Sequence, residues 1–68
     1  MLELDRITFD PTILGGKACI RGMRISVSLV VNLVANGMTS PQIVAEYPDL
    51  EAEDIAQALK YAAWVANR

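Results

Sequence analysis

Between residues 26 and 37 the run "SVSLVVNLVANG" places its polar residues at a helical step. Ser28, Asn32 and Asn36 recur every fourth position, while Val27, Val30, Val31 and Val34 follow the three-and-four spacing of a single helix face. Valine favours strands, but strict alternation is missing, so the spacing predicts a helix with a narrow wet stripe and a wide apolar face. Ser26 stands where an N-cap hydroxyl belongs and Gly37 where a helix is closed by a left-handed residue. Next, "TSPQIVAEYP" predicts a short second helix. Thr39 and Gln42 have the spacing of a capping box, Pro41 falls in the first turn, where a missing N–H costs little, and Pro48 ends the segment. Its inward residues are Ile43, Val44 and Tyr47. The stretch "LEAEDIAQALKYAAWVANR" predicts a third, longer helix. Acids crowd its first turn and Lys60 and Arg68 lie toward its end, as the helix dipole favours. Its inner stripe reads Ile55, Ala58, Leu59, Ala62 and Ala66, with Gln57, Lys60, Tyr61, Trp64 and Asn67 on the other side.

Upstream the period changes. In "RITFD", Ile7 and Phe9 alternate with Arg6 and Thr8, which predicts a short strand. Asp10-Pro11 opens a loop. Extended structure resumes near Cys19-Ile20, a tight turn follows at Arg21-Gly22-Met23, and Arg24-Ile25 would form a returning strand. Ile7, Phe9, Ile20 and Ile25 are the expected inward residues. Gly15, Gly16, Gly22 and Gly37 are assigned to structural turns. The fold expected for residues 1–68 is thus one mainly α domain. Residues 1–25 would form a short N-terminal β element and a glycine-rich basic loop, and residues 26–68 a three-helix, helix-turn-helix-like part of the winged-helix or homeodomain-like kind.

Size sharpens this picture. A domain of 68 residues buries only about 60% of the surface its unfolded chain exposes. Yet 53% of this chain is hydrophobic, and it has no disulfide pair or His/Cys cluster to act as a staple. A partner surface is the expected remedy, most simply a second copy in a homodimer. Leu29 and Val31 widen the apolar face of the first helix beyond what two short helices cover. Tyr61, Trp64 and Val65 cluster near the end of the third helix, where aromatic side chains suit an interface anchor or a cover for the N-terminal strand. These five residues are the candidate protein interface.

A single cysteine fits a reducing cytoplasm. "MLELDR" lacks the apolar run of a signal peptide, and no stretch is long enough to span a bilayer, so a cytoplasmic protein without a membrane role is expected. With no histidine in the chain, Cys19 lacks a base and reads as a small buried hydrophobe. The acids follow no calcium-loop spacing. No catalytic residue, metal, cofactor or small-molecule substrate is expected, and the chain is read as a non-enzyme.

The formal net charge of −2 hides an asymmetry. Residues 6–24 carry Arg6, Lys17, Arg21 and Arg24 against Asp10, while residues 46–54 carry Glu46, Asp49, Glu51, Glu53 and Asp54. Lys17, Arg21 and Arg24 sit in "GGKACIRGMRIS", where glycines would let backbone N–H groups approach a phosphate and guanidiniums fork onto its oxygens. An equally good reading is structural, with the arginines that flank the turn tying down Asp5, Asp10 or an acidic face of a second copy. Glu46, Glu51, Glu53 and Asp54 form the matching candidate, an acidic face toward a basic partner. Acids at the start of the third helix would be repelled from a major groove, so any DNA contact would run through the basic loops and phosphates.

The run from "ITFDPTILGGKACIRGMRISVSLVV" through "NGMTS" and "YPDL" to "IAQAL" resembles the bacterial domain-of-unknown-function family numbered 433. The resemblance covers about residues 6–63. It departs from the family pattern at Ala18, where proline is usual, at Met23, where threonine is usual, and at Glu51, where a Ser/Thr cap is common. The resemblance implies a small helix-turn-helix-like protein, many of whose kin are encoded beside a PIN-like ribonuclease toxin and are regarded as its antitoxin. On that footing the chain would bind and silence such a nuclease through its folded domain, with autoregulatory DNA binding as an added role. A DNA-binding regulator using the Lys17–Arg24 loops, or a small homodimer of another role, are the alternatives.

Overall fold

The computed structural model describes residues 3–68. The first strand, β1 (Ile7–Phe9), pairs antiparallel with β2 (Ala18–Ile20), with Ile7 opposite Ile20, Thr8 opposite Cys19 and Phe9 opposite Ala18. The connection between them makes a single 3-10 turn at Leu14–Gly16. Three helices follow: α1 (Val27–Ala35), α2 (Ser40–Glu46) and α3 (Ala52–Ala66). This is the expected mainly helical domain with a short N-terminal β element, and only the first two positions of its expected span lie outside the described residues.

Local chemistry sets the helix boundaries. The Ser26 hydroxyl accepts from the Leu29 N–H at 3.0 Å and starts α1. At its end the chain turns through Gly37, whose φ of +94° is one that L side chains rarely adopt. The Thr39–Gln42 capping box is reciprocal: the Thr39 N–H donates to Gln42 Oε1 and the Gln42 N–H to Thr39 Oγ1. Glu51 precedes α3 and its own N–H donates to Asp54 Oδ2 at 2.8 Å. The cap of this helix therefore comes from within its first turn, where many helices use a Ser or Thr in front of it.

The core gathers one or two residues from each element: Ile20 from β2, Val27 and Val30 from α1, Ile43 from α2, Leu50 from the step into α3, and Ile55 and Ala58 from α3. Ile7, Ile25, Val44 and Tyr47 pack against it, as the sequence predicts. Among the described residues no helix is long and apolar enough to cross a membrane.

Three expectations change. Arg24-Ile25 forms no returning strand. A single bridge joins Cys19 to Ser26, and because Ser26 is already the cap of α1 the chain turns into the helix at once. Phe9 does not point into the core and is 59% exposed. Its ring instead meets that of Tyr61, with centroids 5.9 Å apart. The inner face of α3 is rotated as well: Gln57 is buried and Tyr61 packs on the core, while Leu59 and Ala66 are exposed. The cause is the N-terminal segment: Arg6, just before β1, offers Gln57 a backbone partner, and Phe9 of β1 meets Tyr61.

Ile20, fully buried where the hairpin meets the helices, is expected to cost about 3 kcal/mol when truncated to alanine. In a domain this small that removes much of the total stability. Chemical denaturation should show a large fall in the unfolding midpoint for Ile20→Ala, and little change for Leu59→Ala.

Candidate functional site

The candidate residues occupy two regions at opposite ends of α3. At its N-terminal end, Asp54 has no exposed side-chain surface yet carries a charge. Four donors surround it. Arg21 Nε reaches Oδ1 at 3.0 Å and Arg21 Nη2 reaches Oδ2 at 2.9 Å, a two-pronged guanidinium contact. Arg6 Nη1 donates to Oδ1 at 3.0 Å, and the Glu51 N–H completes the set. The outward side of this clasp is closed by an Arg6–Glu51 ion pair and by Arg21 Nη2 donating to the Asp49 carbonyl at 2.6 Å.

Backbone geometry brings the two arginines together. The Arg21 N–H donates to the Arg6 carbonyl at 2.8 Å, extending the β1–β2 pairing by one step. The chain then reverses through Arg21 and Gly22, both with positive φ, and the Met23 N–H donates to the Ile20 carbonyl at 2.8 Å. Glycine adopts that conformation freely; arginine at φ 46° does so at a cost. The contacts of the Arg21 guanidinium offset that cost. Thr8 buttresses the turn by accepting from the Gly22 N–H at 2.8 Å.

Electrostatics follow from this packing. Burial pushes the Asp54 carboxyl toward its neutral form, but the hydrogen bonds from Arg21, the Glu51 N–H and Arg6 outweigh it and hold its pKa below the ordinary value. Hydrogen bonds to Glu51 and Asp54 raise the Arg6 pKa, and the bond to Asp54 raises that of Arg21, so both remain cations.

The structure therefore separates the predicted residues. Of the basic loop, Arg21 is committed to Asp54, while Lys17 and Arg24 are exposed and their side chains make no hydrogen bond or ion pair with the described residues. Asp54 is internal and cannot belong to an acidic partner face. Its place at the surface is taken by Glu46, Glu51 and Glu53, all exposed. Two participants carry no sign of their role in the sequence: Arg6 counts there only as charge, and Gln57 falls on the outer face of the helix wheel. Gln57 Oε1 accepts from the Arg6 N–H at 2.9 Å while its amide donates to Asp5 at 2.8 Å. The Glu51-x-x-Asp54 spacing could have revealed the cap, since an acid three residues inside a helix start is a capping signal. No local signal marks Gln57, whose backbone partner lies 51 residues away.

At the other end of α3 an open groove of about 400 Å³ runs between α1 and α3. Val27 and Val31 of α1, Tyr61, Ala62 and Val65 of α3, and Ala18 of β2 give it apolar walls, with Ser28 and Asn32 at one edge. Of the five candidate interface residues, Val31, Tyr61 and Val65 line this groove. Trp64 stands beside it, 47% exposed, with its ring 6.1 Å from that of Tyr61 and the Arg68 guanidinium 5.0 Å above it. Leu29 is two residues from both Val27 and Val31 and so projects from the other side of α1. Tyr61 does cover the N-terminal strand, through Phe9, whereas Trp64 does not. Cys19 is buried and free.

Comparison with known proteins agrees with this fold. Residues 7–62 match the family described as "Protein of unknown function (DUF433)". The crystal structure of a DUF433 member protein from Anabaena variabilis ATCC 29413 is similar with a TM-score of 0.80 and 36% identity, covering 87% of this chain and 58% of that one. The uncharacterized protein y4eO of Sinorhizobium fredii is 39% identical over 56 residues, which are 82% of this chain and 25% of that protein. The chain thus spans about a quarter of the curated relative and 58% of the solved one.

The clasp makes a stability prediction with a definite sign. Asp54→Ala leaves two guanidiniums without their shared partner and the Glu51 N–H uncapped. Both arginines keep contact with water, at 26% and 37% side-chain exposure, so the loss should be about 3 kcal/mol, the lower end for a broken buried pair. Because the folded-state pKa of Asp54 is depressed, its contribution is complete above the unfolded-state value of about 3.9. It declines as pH falls below that value and is gone once pH drops below the folded-state pKa. Urea unfolding from pH 7 downward should show this acid limb in the parent protein and lose it in Asp54→Asn. An equal limb in both proteins would remove Asp54 as its source.

Proposed function

The chain belongs to the DUF433 family, and on that premise we propose that it is a binding protein without catalytic chemistry, an antitoxin-like partner that neutralises a PIN-like ribonuclease. The observation that carries this reading is the strip of exposed apolar surface at the C-terminal half of α3. Phe9, Trp64 and Val65 are 59%, 47% and 42% exposed, and Tyr61 connects the two rings. Aromatic anchors beside an apolar groove are what a protein partner desolvates to gain affinity. The exposed acids Glu46 at the end of α2 and Glu51 and Glu53 at the start of α3, of which Glu51 is shared with Arg6, complement the basic channel that an RNA-cleaving enzyme presents to its substrate. Neutralisation is then steric and electrostatic: the apolar strip holds the partner and the acidic end lies against the cationic channel.

This reading is favoured over a DNA-binding regulator built on the basic loops. Arg21 already makes three hydrogen bonds to the Asp54 carboxylate, which leaves Lys17 and Arg24 as the loop's free cations among the described residues. Two cations per chain give little phosphate-driven affinity.

Co-expression with a PIN-like ribonuclease encoded beside the gene should give a complex that survives purification and no longer cleaves RNA. Trp64→Ala should weaken that complex by about 2 kcal/mol, roughly thirtyfold, without changing the unfolding midpoint. Separate elution of the two proteins with undiminished RNA cleavage would end the antitoxin reading.

A further inference from the structure

We propose that the Asn36–Gly37 step at the end of α1 is a site of spontaneous deamidation that the fold holds closed, so that the modification marks chains in which this helix end has opened. The inference concerns the chemistry of the chain itself and does not depend on what the protein binds. Asparagine is chemically labile, and most so before glycine. The backbone nitrogen of the following residue attacks the side-chain amide carbon, and glycine puts no side chain in its way. Here both residues are exposed to water, and a Cβ placed on Gly37 would meet no atom within 4 Å. In the reaction the Gly37 nitrogen bonds to Asn36 Cγ and gives up its proton to hydroxide. The Cγ–Nδ2 bond breaks, and Nδ2 takes up a proton and leaves as ammonia. Water then opens the cyclic imide at either carbonyl. One opening gives aspartate; the other routes the main chain through Cγ and gives isoaspartate. No oxidant or reductant is involved.

Three features of the folded chain oppose the first step. The attacking group, the Gly37 N–H, donates to the Val34 carbonyl at 3.0 Å. The leaving amide is held too, since Asn36 Nδ2 donates to the Asn32 carbonyl at 2.7 Å. Asn36 itself has φ −89° and ψ 11°. At that ψ the Gly37 nitrogen nearly eclipses the Asn36 nitrogen, so it stands roughly a third of a turn from Cβ about the Cα–C bond. Ring closure needs it turned toward Cβ. The reaction therefore waits until the end of α1 unwinds, and its rate follows the population of that open form. The product does not close again in the same way. A carboxylate replaces a neutral amide at the C-terminal end of α1, where free carbonyls already concentrate negative charge. Isoaspartate also lengthens the main chain between Asn36 and Gly37. That displaces the left-handed turn whose Met38 N–H donates to the Leu33 carbonyl at 3.1 Å.

The test incubates the 68-residue chain in mildly alkaline buffer, folded in one arm and in concentrated urea in the other. Peptide mass mapping reads conversion at each asparagine, and an isoaspartate-specific methyltransferase reads the product. In urea Asn36 should convert ahead of Asn32 and Asn67, which precede leucine and arginine, and should yield isoaspartate as well as aspartate. Gly37→Ala, compared in urea so that folding plays no part, should slow the conversion. In the folded chain Asn36 should convert about tenfold more slowly or less. Hydrogen exchange of the Gly37 N–H, which needs the same release from Val34, should be protected. Equal rates in the two arms, an unprotected Gly37 N–H, or conversion led by another asparagine would overturn the proposal. So would aspartate without isoaspartate, or a rate in urea that Gly37→Ala leaves unchanged, since direct attack by water would then account for the product. The converted chain, separable by its added negative charge, should have a lower unfolding midpoint; an unchanged one would mean that the helix end recloses, against the proposal.

Discussion

Asp54 joins segments that are otherwise far apart in the chain. Its carboxylate accepts from Arg6, 48 residues upstream, from Arg21, 33 residues upstream, and from the N–H of its own helix cap. A carboxylate without exposed surface is tolerated only where its lone pairs are filled, and here each oxygen has two or more donors. The requirement works in both directions. The charge needs both arginines, and the arginines can reach it only if β1, the Arg21-Gly22 turn and the start of α3 converge. The hairpin, which is too small to be stable alone, is thereby fixed to the helices through polar contacts as well as through Ile7 and Ile20.

The same interaction explains why the two ends of the molecule differ. At the N-terminal end of α3, hydrogen bonds among Asp5, Arg6, Glu51, Asp54 and Gln57 satisfy the polar groups and leave a charged surface. Beyond Ala58 the helix has no such partners. Phe9, Trp64 and Val65 stay exposed because a three-residue strand and a nine-residue α1 are too short to cover them. The hydrophobic excess visible in the composition is therefore localised: it lies along one groove and one row of rings, while the core itself closes around a few aliphatic side chains.

What could be read from the sequence was mostly local. The cap hydroxyls of Ser26 and Thr39 act on N–H groups three residues away, the left-handed Gly22 and Gly37 depend on their own backbones, and the valine spacing of α1 depends on neighbours one turn apart. Each was legible. The face of α3 was read with an error of orientation, because Gln57 and Tyr61 look polar or bulky on a wheel and are drawn inward by the N-terminal segment. Of the candidate site, Val31, Tyr61, Trp64 and Val65 converge near one groove, yet Leu29 projects elsewhere and Asp54 turned from surface charge to internal anchor. Those outcomes depend on contacts between residues tens of positions apart, which periodicity does not encode. The alternatives left open for the basic loop divide between its members, with Arg21 structural and Lys17 and Arg24 free of partners among the described residues.

That division has a consequence for how a partner would approach. With Arg6 and Arg21 held within the clasp, the exposed acids Glu51 and Glu53 stand at the start of α3 and the exposed Arg68 just past its end, in a body with extents of 28 × 27 × 19 Å. Dimensions of this order exceed the Debye length of about 8 Å at physiological salt, so an incoming surface senses one end at a time. A partner whose own charges are arranged in the opposite sense meets attraction at both ends in only one orientation, and in the reversed orientation meets repulsion at both. The exposed rings of Phe9 and Trp64 are sequence-tolerant anchors that grip many apolar surfaces with similar strength. Polarity rather than ring contact therefore sets which surface docks and which way round. That polarity exists because the Asp54 clasp keeps two of the six cations away from the groove and binds them among the acids.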